Sequence, residues 1–405
     1  MSDIKFVGGL DIGNGYTKGI ISDFASDKFT SKIDMPSGVA YVTMNNGIKT
    51  PIRNLDVTID NLHNEADVSF DTPVIDDNNR RFLGRRGVSS GFPLEEFDVY
   101  SHVSKVNQNV SYILILGAIA CSALQKYYSE NKHLPADDEV IEVEMSCALA
   151  LPIREFKKHR EIYGHKFMDN THFVTFHNFD KPVRVMIKFS DVQVLAEGAS
   201  AQYAINSKGR EFVDALLADC RTKIALDPAI TADDVINAST TIGVDIGEGT
   251  INFPIFQNGQ FNSDVSFTYD KGYGNILLAA MDRLKDDGFP FDSRKSLSEY
   301  LQKQPTAITR NNYNRVLSVV DEETAGFVQA VRLEFSKLLT KVGAYAEVIY
   351  VYGGGASPIK EVLYPVLCDV LKDYNLDIPI LYLDSMYSRF LNREGLFVIQ
   401  RAVGQ

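Results

Sequence analysis

Apolar positions cluster with a strand-like period in two stretches that read almost alike. Residues 5–12 carry Phe6, Val7, Leu10 and Ile12 and predict a strand, and residues 16–22 return extended after a glycine turn. Residues 241–246 and 250–256 repeat this order, and Asn258-Gly259, a pair that favours positive φ, predicts a further hairpin. Additional strands are expected over 140–151, 191–195 and 347–352, with a strand reaching about Tyr269. Helical spacing marks 109–126, 153–163, a segment ending near Asp287, and 321–340; Ala196 to Ser200 carries a strand into a helix, and Pro358 is placed to start one. Residues 30–102 are polar and weakly periodic, with short extended pieces at 39–43 and 81–83, as expected of a small lobe set on a larger one. Residues 206–239 read as an insertion with helix-like pieces and a capping-box candidate from Thr231 to Asp234.

The two similar stretches share a phrase. Gly9-Leu10-Asp11-Ile12-Gly13-Asn14-Gly15 and Gly243-Val244-Asp245-Ile246-Gly247-Glu248-Gly249 lie 234 positions apart. In each an apolar strand ends at an Asp, and the following Gly-x-Gly allows backbone amides to approach an anion closely. A single such turn is a weak signal; the same device in each half of a chain predicts two pseudo-equivalent lobes around one nucleotide cleft. Strands followed by helices, twice over, give an α/β class with its ligand at the carboxyl ends of strands.

Composition narrows the partners. The chain has 405 residues, 45% hydrophobic and 23% charged, so it is long enough for two or three domains. A net charge of -12 argues against direct binding of nucleic acid or an anionic membrane. Arg80, Arg81, Arg85 and Arg86, and Lys157, Lys158 and Arg160, are short basic clusters expected to be solvated faces. Cys121, Cys147, Cys220 and Cys368 have no metal-type spacing and are expected as buried thiols in a reducing, cytoplasmic compartment. The start at Met1 shows no signal-peptide core, and residues 110–124 are expected to be too short and too broken by serine to span a bilayer.

Taken in order, further blocks accompany the glycine phrases: Pro36-Ser37, Phe82-Leu83-Gly84, Leu149-Ala150-Leu151-Pro152, Leu195-Ala196-Glu197-Gly198, Tyr352-Gly353-Gly354-Gly355-Ala356, and Asn392 with Gly395. With Leu10 to Gly19 and Val244 to Thr250, they resemble the actin-like ATPase superfamily, and within it the ParM-type bacterial plasmid segregation actins. The resemblance implies an actin-like (ribonuclease H-like) fold with a first domain over 1–200 plus about 385–405 and a second over 201–384.

It also implies roles. Asp11 and Asp245 would hold Mg²⁺ through its water shell, Lys18 would reach the β- and γ-phosphates, and Glu197 would orient the attacking water. Gly13, Asn14, Gly15, Tyr16, Thr17, Gly247, Glu248, Gly249 and Thr250 would form the two phosphate turns. Lys271 and Gly272 would line the ribose side, and Gly353, Gly354, Gly355 and Ala356 the α-phosphate and adenosine. Read without the family, each Asp could simply cap a turn, Lys18 could be a surface strand lysine, and Glu197 a helix N-terminal charge. The implied function is an ATPase, with GTP the other candidate nucleotide, that polymerises with ATP, disassembles after hydrolysis and segregates DNA through an adaptor protein. The alternatives within the superfamily are a small-molecule kinase and a chaperone or reactivating ATPase; neither an acceptor pocket nor a peptide-binding domain is visible in the sequence.

Overall fold

The computed structural model describes residues 3–26, 28–42, 54–97 and 103–403. The expected ends at Met1 and Gln405, and Thr43 at the close of one extended piece, lie outside the described residues. The chain divides into two compact units, Met1–Ala204 with Leu391–Gln405, and Ile205–Phe390.

The first unit opens with β1 (Asp3–Ile12), β2 (Tyr16–Asp23), β3 (Thr30–Pro36) and β4 (Val39–Val42), followed by the short helices α1 (Leu55–Asp60) and α2 (Leu62–Glu65). Then come β5 (Asp67–Asp71), β6 (Arg80–Leu83), α3 (Gly84–Ser89), β7 (Leu94–Glu95), a 3-10 turn at Lys105–Asn107, and α4 (Asn109–Asn131). β8 (Val140–Leu151), α5 (Ile153–Met168), β9 (Thr171–Phe176), β10 (Val183–Ala196) and α6 (Ala199–Ser207) complete the run. Among the described residues the strands form one ten-stranded sheet in the order β3-β2-β1-β8-β10-β9-β5-β6-β4-β7. The polar stretch expected as a small lobe set on a larger one joins the same sheet, because β5 pairs with β9 from Val68↔Phe176 to Asp71↔Phe173.

Burial follows the covering of each face. β8 alternates up to Met145 and is then buried at every position from Met145 to Leu151, the pattern of a strand covered on both faces. The cover on one side is α14 (Leu391–Val403), whose Leu396 packs on Ala148 and Ala150 while Gln400 Nε2 donates to Ser146 Oγ at 2.7 Å. Close seating there requires glycine: a Cβ on Gly9 would lie 2.4 Å from the Phe397 backbone nitrogen, and one on Gly395 would lie 1.8 Å from the Ser200 carbonyl oxygen. On α4, buried residues occur all around the axis, the mark of a core helix. Its 23 residues are long and apolar enough to cross a membrane, contrary to the sequence expectation, but 89% of the apolar window is buried inside the protein.

The first basic cluster also departs from expectation. Arg81 is fully buried with Nη2 donating to Asp77 at 2.7 Å, Arg80 donates to both oxygens of buried Asp67 at 2.5 Å, and Arg86 lies over the Phe82 ring at 3.8 Å. Only Arg85 is exposed, whereas Lys157, Lys158 and Arg160 do lie on the exposed face of α5. All four cysteines are free and buried.

The second unit contains α7 (Arg210–Arg221), α8 (Ala232–Ile236), β11 (Thr241–Ile246), β12 (Ile251–Phe253), β13 (Ile255–Gln257), β14 (Gln260–Phe261) and β15 (Phe267–Tyr269). It continues with α9 (Tyr273–Asp286), α10 (Arg294–Gln302), α11 (Arg310–Val342), β16 (Val348–Tyr352), α12 (Lys360–Asp373), β17 (Ile380–Tyr382) and α13 (Ser385–Ser388). The Thr231–Asp234 capping box starts α8, and Asn258 (φ 53°) with Gly259 (φ 71°) turns β13 into β14. β12 and β13 are one returning strand interrupted at Pro254, whose carbonyl still accepts from Gly243 at 2.8 Å.

Each sheet contains the same four-strand theme, with β12 and β13 counted as one. β1 pairs antiparallel with β2 and parallel with β8, which pairs parallel with β10. β11 pairs antiparallel with β12 and β13 and parallel with β16, which pairs parallel with β17. In both, the Asp of the repeated phrase is the last residue but one of the central strand.

Candidate active site

In the first unit the hairpin closes as Gly13 N donates to Tyr16 O at 3.1 Å. The register sets Asp11 directly opposite Lys18, so a cation faces the carboxylate across adjacent strands. Ser37 pins the turn: its Oγ donates to Gly13 O at 2.7 Å, its amide to Gly15 O at 3.0 Å, and its hydroxyl pairs with that of buried Thr17 at 3.0 Å. Pro36-Ser37 was legible as a motif, but this clamping role was not.

Glu197 occupies the link between β10 and α6, its amide donating to Leu151 O at 2.7 Å. It is 8% exposed, and Lys105 Nζ, on the 3-10 turn, donates to its Oε1 at 2.5 Å and to Ile12 O at 2.9 Å. No motif in the sequence marks Lys105, which is 92 residues from Glu197. Asn392 Oδ1 accepts from Gly198 N and Ser200 Oγ, each at 3.2 Å, and ties α14 to the same link.

The electrostatics reflect this crowding. Burial pushes the Asp11 carboxyl above its ordinary range; Lys18, Lys105 and Arg393 pull it down, Glu197 pushes it further up, and the net shift is upward. For Lys105 burial disfavours the ammonium, but neighbouring Glu197, then Glu155 and Asp11, more than offset that and raise its pKa. Among the described residues no group of three or more His, Cys, Asp or Glu is arranged to hold a metal.

The second unit repeats the turn. Gly247 N donates to Thr250 O at 2.9 Å, as Gly13 N does to Tyr16 O. Asp245 is 4% exposed, and its opposite residue is Asn252, the counterpart of Lys18, so the second copy keeps the carboxylate without the cation. Three sequence-predicted segments converge here. Tyr273 N and Gly274 N, at the start of α9, donate to Gly247 O and Glu248 O at 3.0 and 2.8 Å, and Gly355 N donates to Ile246 O at 2.8 Å. A Cβ on Gly272 would lie 2.6 Å from Glu248 O, and one on Gly353 (φ 99°) would lie 2.5 Å from Asp245 Oδ1. Gly354 has nothing within 4 Å, Ala356 is buried with its carbonyl accepting from Tyr382 Oη at 2.6 Å, and Lys271 is exposed ahead of α9.

The amides of Gly13, Gly247 and Gly355 are committed to carbonyls within their own unit. The amides of Asn14, Gly15, Glu248 and Gly249 donate to no protein group among the described residues.

Matched sheets, each ending its central strand in a carboxylate and a glycine turn, define the actin-like fold, of the ribonuclease H-like type. Residues 9–199 match the family described as actin like proteins, N terminal domain. No curated protein matches the chain by sequence. Among solved structures it is similar to the actin-like protein Alp7A, with 18% identity and a TM-score of 0.66, covering 99% of this chain and 97% of that one. ParM of Bacillus thuringiensis, solved with AMPPNP, has 16% identity and a TM-score of 0.58, with 99% of each chain covered. A 15-stranded ParM filament from Clostridium botulinum has 16% identity and a TM-score of 0.62, covering 98% of this chain and 99% of its subunit.

Proposed function

We propose that this protein is a cytoplasmic ATPase that assembles into filaments with ATP and comes apart after hydrolysis, moving DNA through a DNA-binding adaptor. The reading is carried by the duplicated turn: two strand-end carboxylates, Asp11 and Asp245, each beside a glycine turn with two uncommitted amides. That Alp7A and ParM proteins share the fold, and that one such relative was solved as a filament, supports extending it to assembly.

Asn14, Gly15, Glu248 and Gly249 donate to phosphate oxygens, and Lys18 adds a point charge beside them. Mg²⁺ suits Asp11, a buried carboxyl whose ionised form is costly without added positive charge. Asp11 and Asp245 are the residues that would hold the ion, which would supply charge neutralisation on the triphosphate. Glu197 orients a water whose oxygen bonds to the γ-phosphorus as the bond from that phosphorus to the β-bridging oxygen breaks. The electron pair leaves with ADP, and the water's proton passes to the Glu197 carboxylate. The acidic chain, at -12, meets DNA through the adaptor rather than directly.

The test is light scattering and sedimentation of the pure protein with ATP and Mg²⁺, with phosphate release followed in parallel. Polymer that appears on ATP addition and fades as phosphate accumulates is the expected result. Phosphate release without polymer would defeat the filament reading, and neither would defeat both parts.

A further inference from the structure

We infer that Lys105 is a positioning residue for hydrolysis, holding the Glu197 carboxylate at the end of β1 where the attacking water must be oriented. The inference rests on the proposed role of Glu197 and adds the group that sets its place.

The ammonium of Lys105 joins Glu197 Oε1 at 2.5 Å to Ile12 O at 2.9 Å. Ile12 is the last residue of β1, between Asp11 and Gly13, so the lysine ties the link after β10 to the strand that carries the first glycine turn. Its own backbone is fixed on both sides. Ser104 Oγ and Lys105 N donate to Glu155 Oε2 at 2.6 and 2.9 Å, and Val106 O accepts from Tyr112 Oη at 2.6 Å and Lys166 Nζ at 2.9 Å. Lys105 is only 7% exposed, unlike a lysine that extends its charge to water.

A buried ion pair is a poor source of stability, since the cost of desolvating both charges can cancel their attraction. Its physical effect is to fix a geometry. An unrestrained Glu side chain samples several rotamers, whereas one held through Oε1 presents its carboxylate in a single arrangement before substrate arrives. Glu155 and Asp11 face the pair, and Lys18 and Arg393 act in turn on Asp11, so removing the ammonium also leaves Glu197 beside Asp11 with one fewer counter-charge.

The full-length protein with Lys105→Met, Glu197→Gln and the double substitution tests this, using ATP with Mg²⁺ and measuring kcat and KM for phosphate release and the affinity for ATP. Lys105→Met is expected to lower kcat about tenfold to a hundredfold, the usual size for loss of an outer partner of a functional group, with KM and affinity within about twofold. In the Glu197→Gln background the same substitution is expected to cost nothing further. Lys105→Gln, which keeps a donor for Ile12 O without the charge, carries the test if the Met variant does not fold, with the same fall in kcat expected. Wild-type kcat in Lys105→Gln or Lys105→Met, weakened ATP affinity at constant kcat, or full additivity with Glu197→Gln would overturn the role. If Glu197→Gln itself turns over normally, or the parent releases no phosphate, the reading of Glu197 fails and Lys105 with it. That outcome is distinct from a slowed Glu197→Gln beside a normal Lys105 variant, which removes the lysine alone.

Discussion

Two helical glycines meet opposite surroundings, and the same substitution separates them. A methyl on Gly395 of α14 would lie 1.8 Å from the Ser200 carbonyl oxygen and 2.4 Å from the carbonyl carbon, both backbone atoms that cannot rotate away. Gly326 of α11 is exposed with nothing within 4 Å. Gly395→Ala should therefore destabilise by about 2 kcal/mol or more through overpacking, while Gly326→Ala should stabilise by about 0.5–1 kcal/mol through helix propensity. Urea unfolding of the two variants against the parent checks both signs; a stabilised Gly395→Ala would mean that α14 seats less closely than described. At this scale the motif residues were legible because each belongs to a short contiguous phrase. Lys105 was not, because its partners Ile12 and Glu197 lie 93 and 92 positions away and a single lysine before a helix has no local signature.

Elements were legible where burial wrote a period into the chain. The stripe Val316, Val319, Val320, Phe327, Val328, Val331, Phe335, Leu338 and Leu339 makes α11 a one-sided helix. α11 begins at Arg310, ahead of the expected Asp321: none of residues 310–315 is buried, although Val316, Val319 and Val320 already belong to the stripe. β3 and β5 were missed because polar residues alternate along them, and only pairing to β2 and β9 defines them as strands. Packing of α2 on α4 has a consequence for pH. His63 is 8% exposed, its Nε2 lies 3.2 Å from Ser122 Oγ, and burial lowers its pKa to about 4, with a backbone hydrogen bond at Ala118 pulling slightly the other way. The unfolded chain binds this proton near pH 6.5 and the folded chain only near 4, so its contribution is complete above about 6.5 and is lost as pH falls towards 4. The loss is about 3 kcal/mol for such a displacement. His63→Gln should remove it: comparing unfolding at pH 7.5 and 4.5, the parent should lose about 2–3 kcal/mol more than the variant. Equal losses would show that His63 titrates normally in the folded protein.

For the molecule as a whole the duplicated theme was legible from the repeated phrase, since an apolar strand, an Asp and a glycine turn are all local. The differences between the copies were not, because cross-strand register decides them: Lys18 faces Asp11, whereas Asn252 faces Asp245. On the proposed function, this asymmetry sets a cation across from the first carboxylate and a neutral amide across from the second. Asp245→Ala should then lower phosphate release at least tenfold with smaller loss of ATP affinity, and unchanged release would remove Asp245 from the site. On the same proposal assembly is a separate step from chemistry, because a nucleotide can favour a polymerising state only by its differential contacts with that state, and such contacts exist before the γ-phosphate is lost. A head-to-tail contact that does not close on itself then runs on into a filament. Glu197→Ala leaves the glycine turns and Lys18 intact while removing the group that orients water, so it should assemble with ATP at near the parent's critical concentration and disassemble at least tenfold more slowly. Light scattering after ATP addition, with phosphate measured in the same sample, separates the cases. Filaments of Glu197→Ala that decay at the parent's rate would show that disassembly does not wait for hydrolysis at this site.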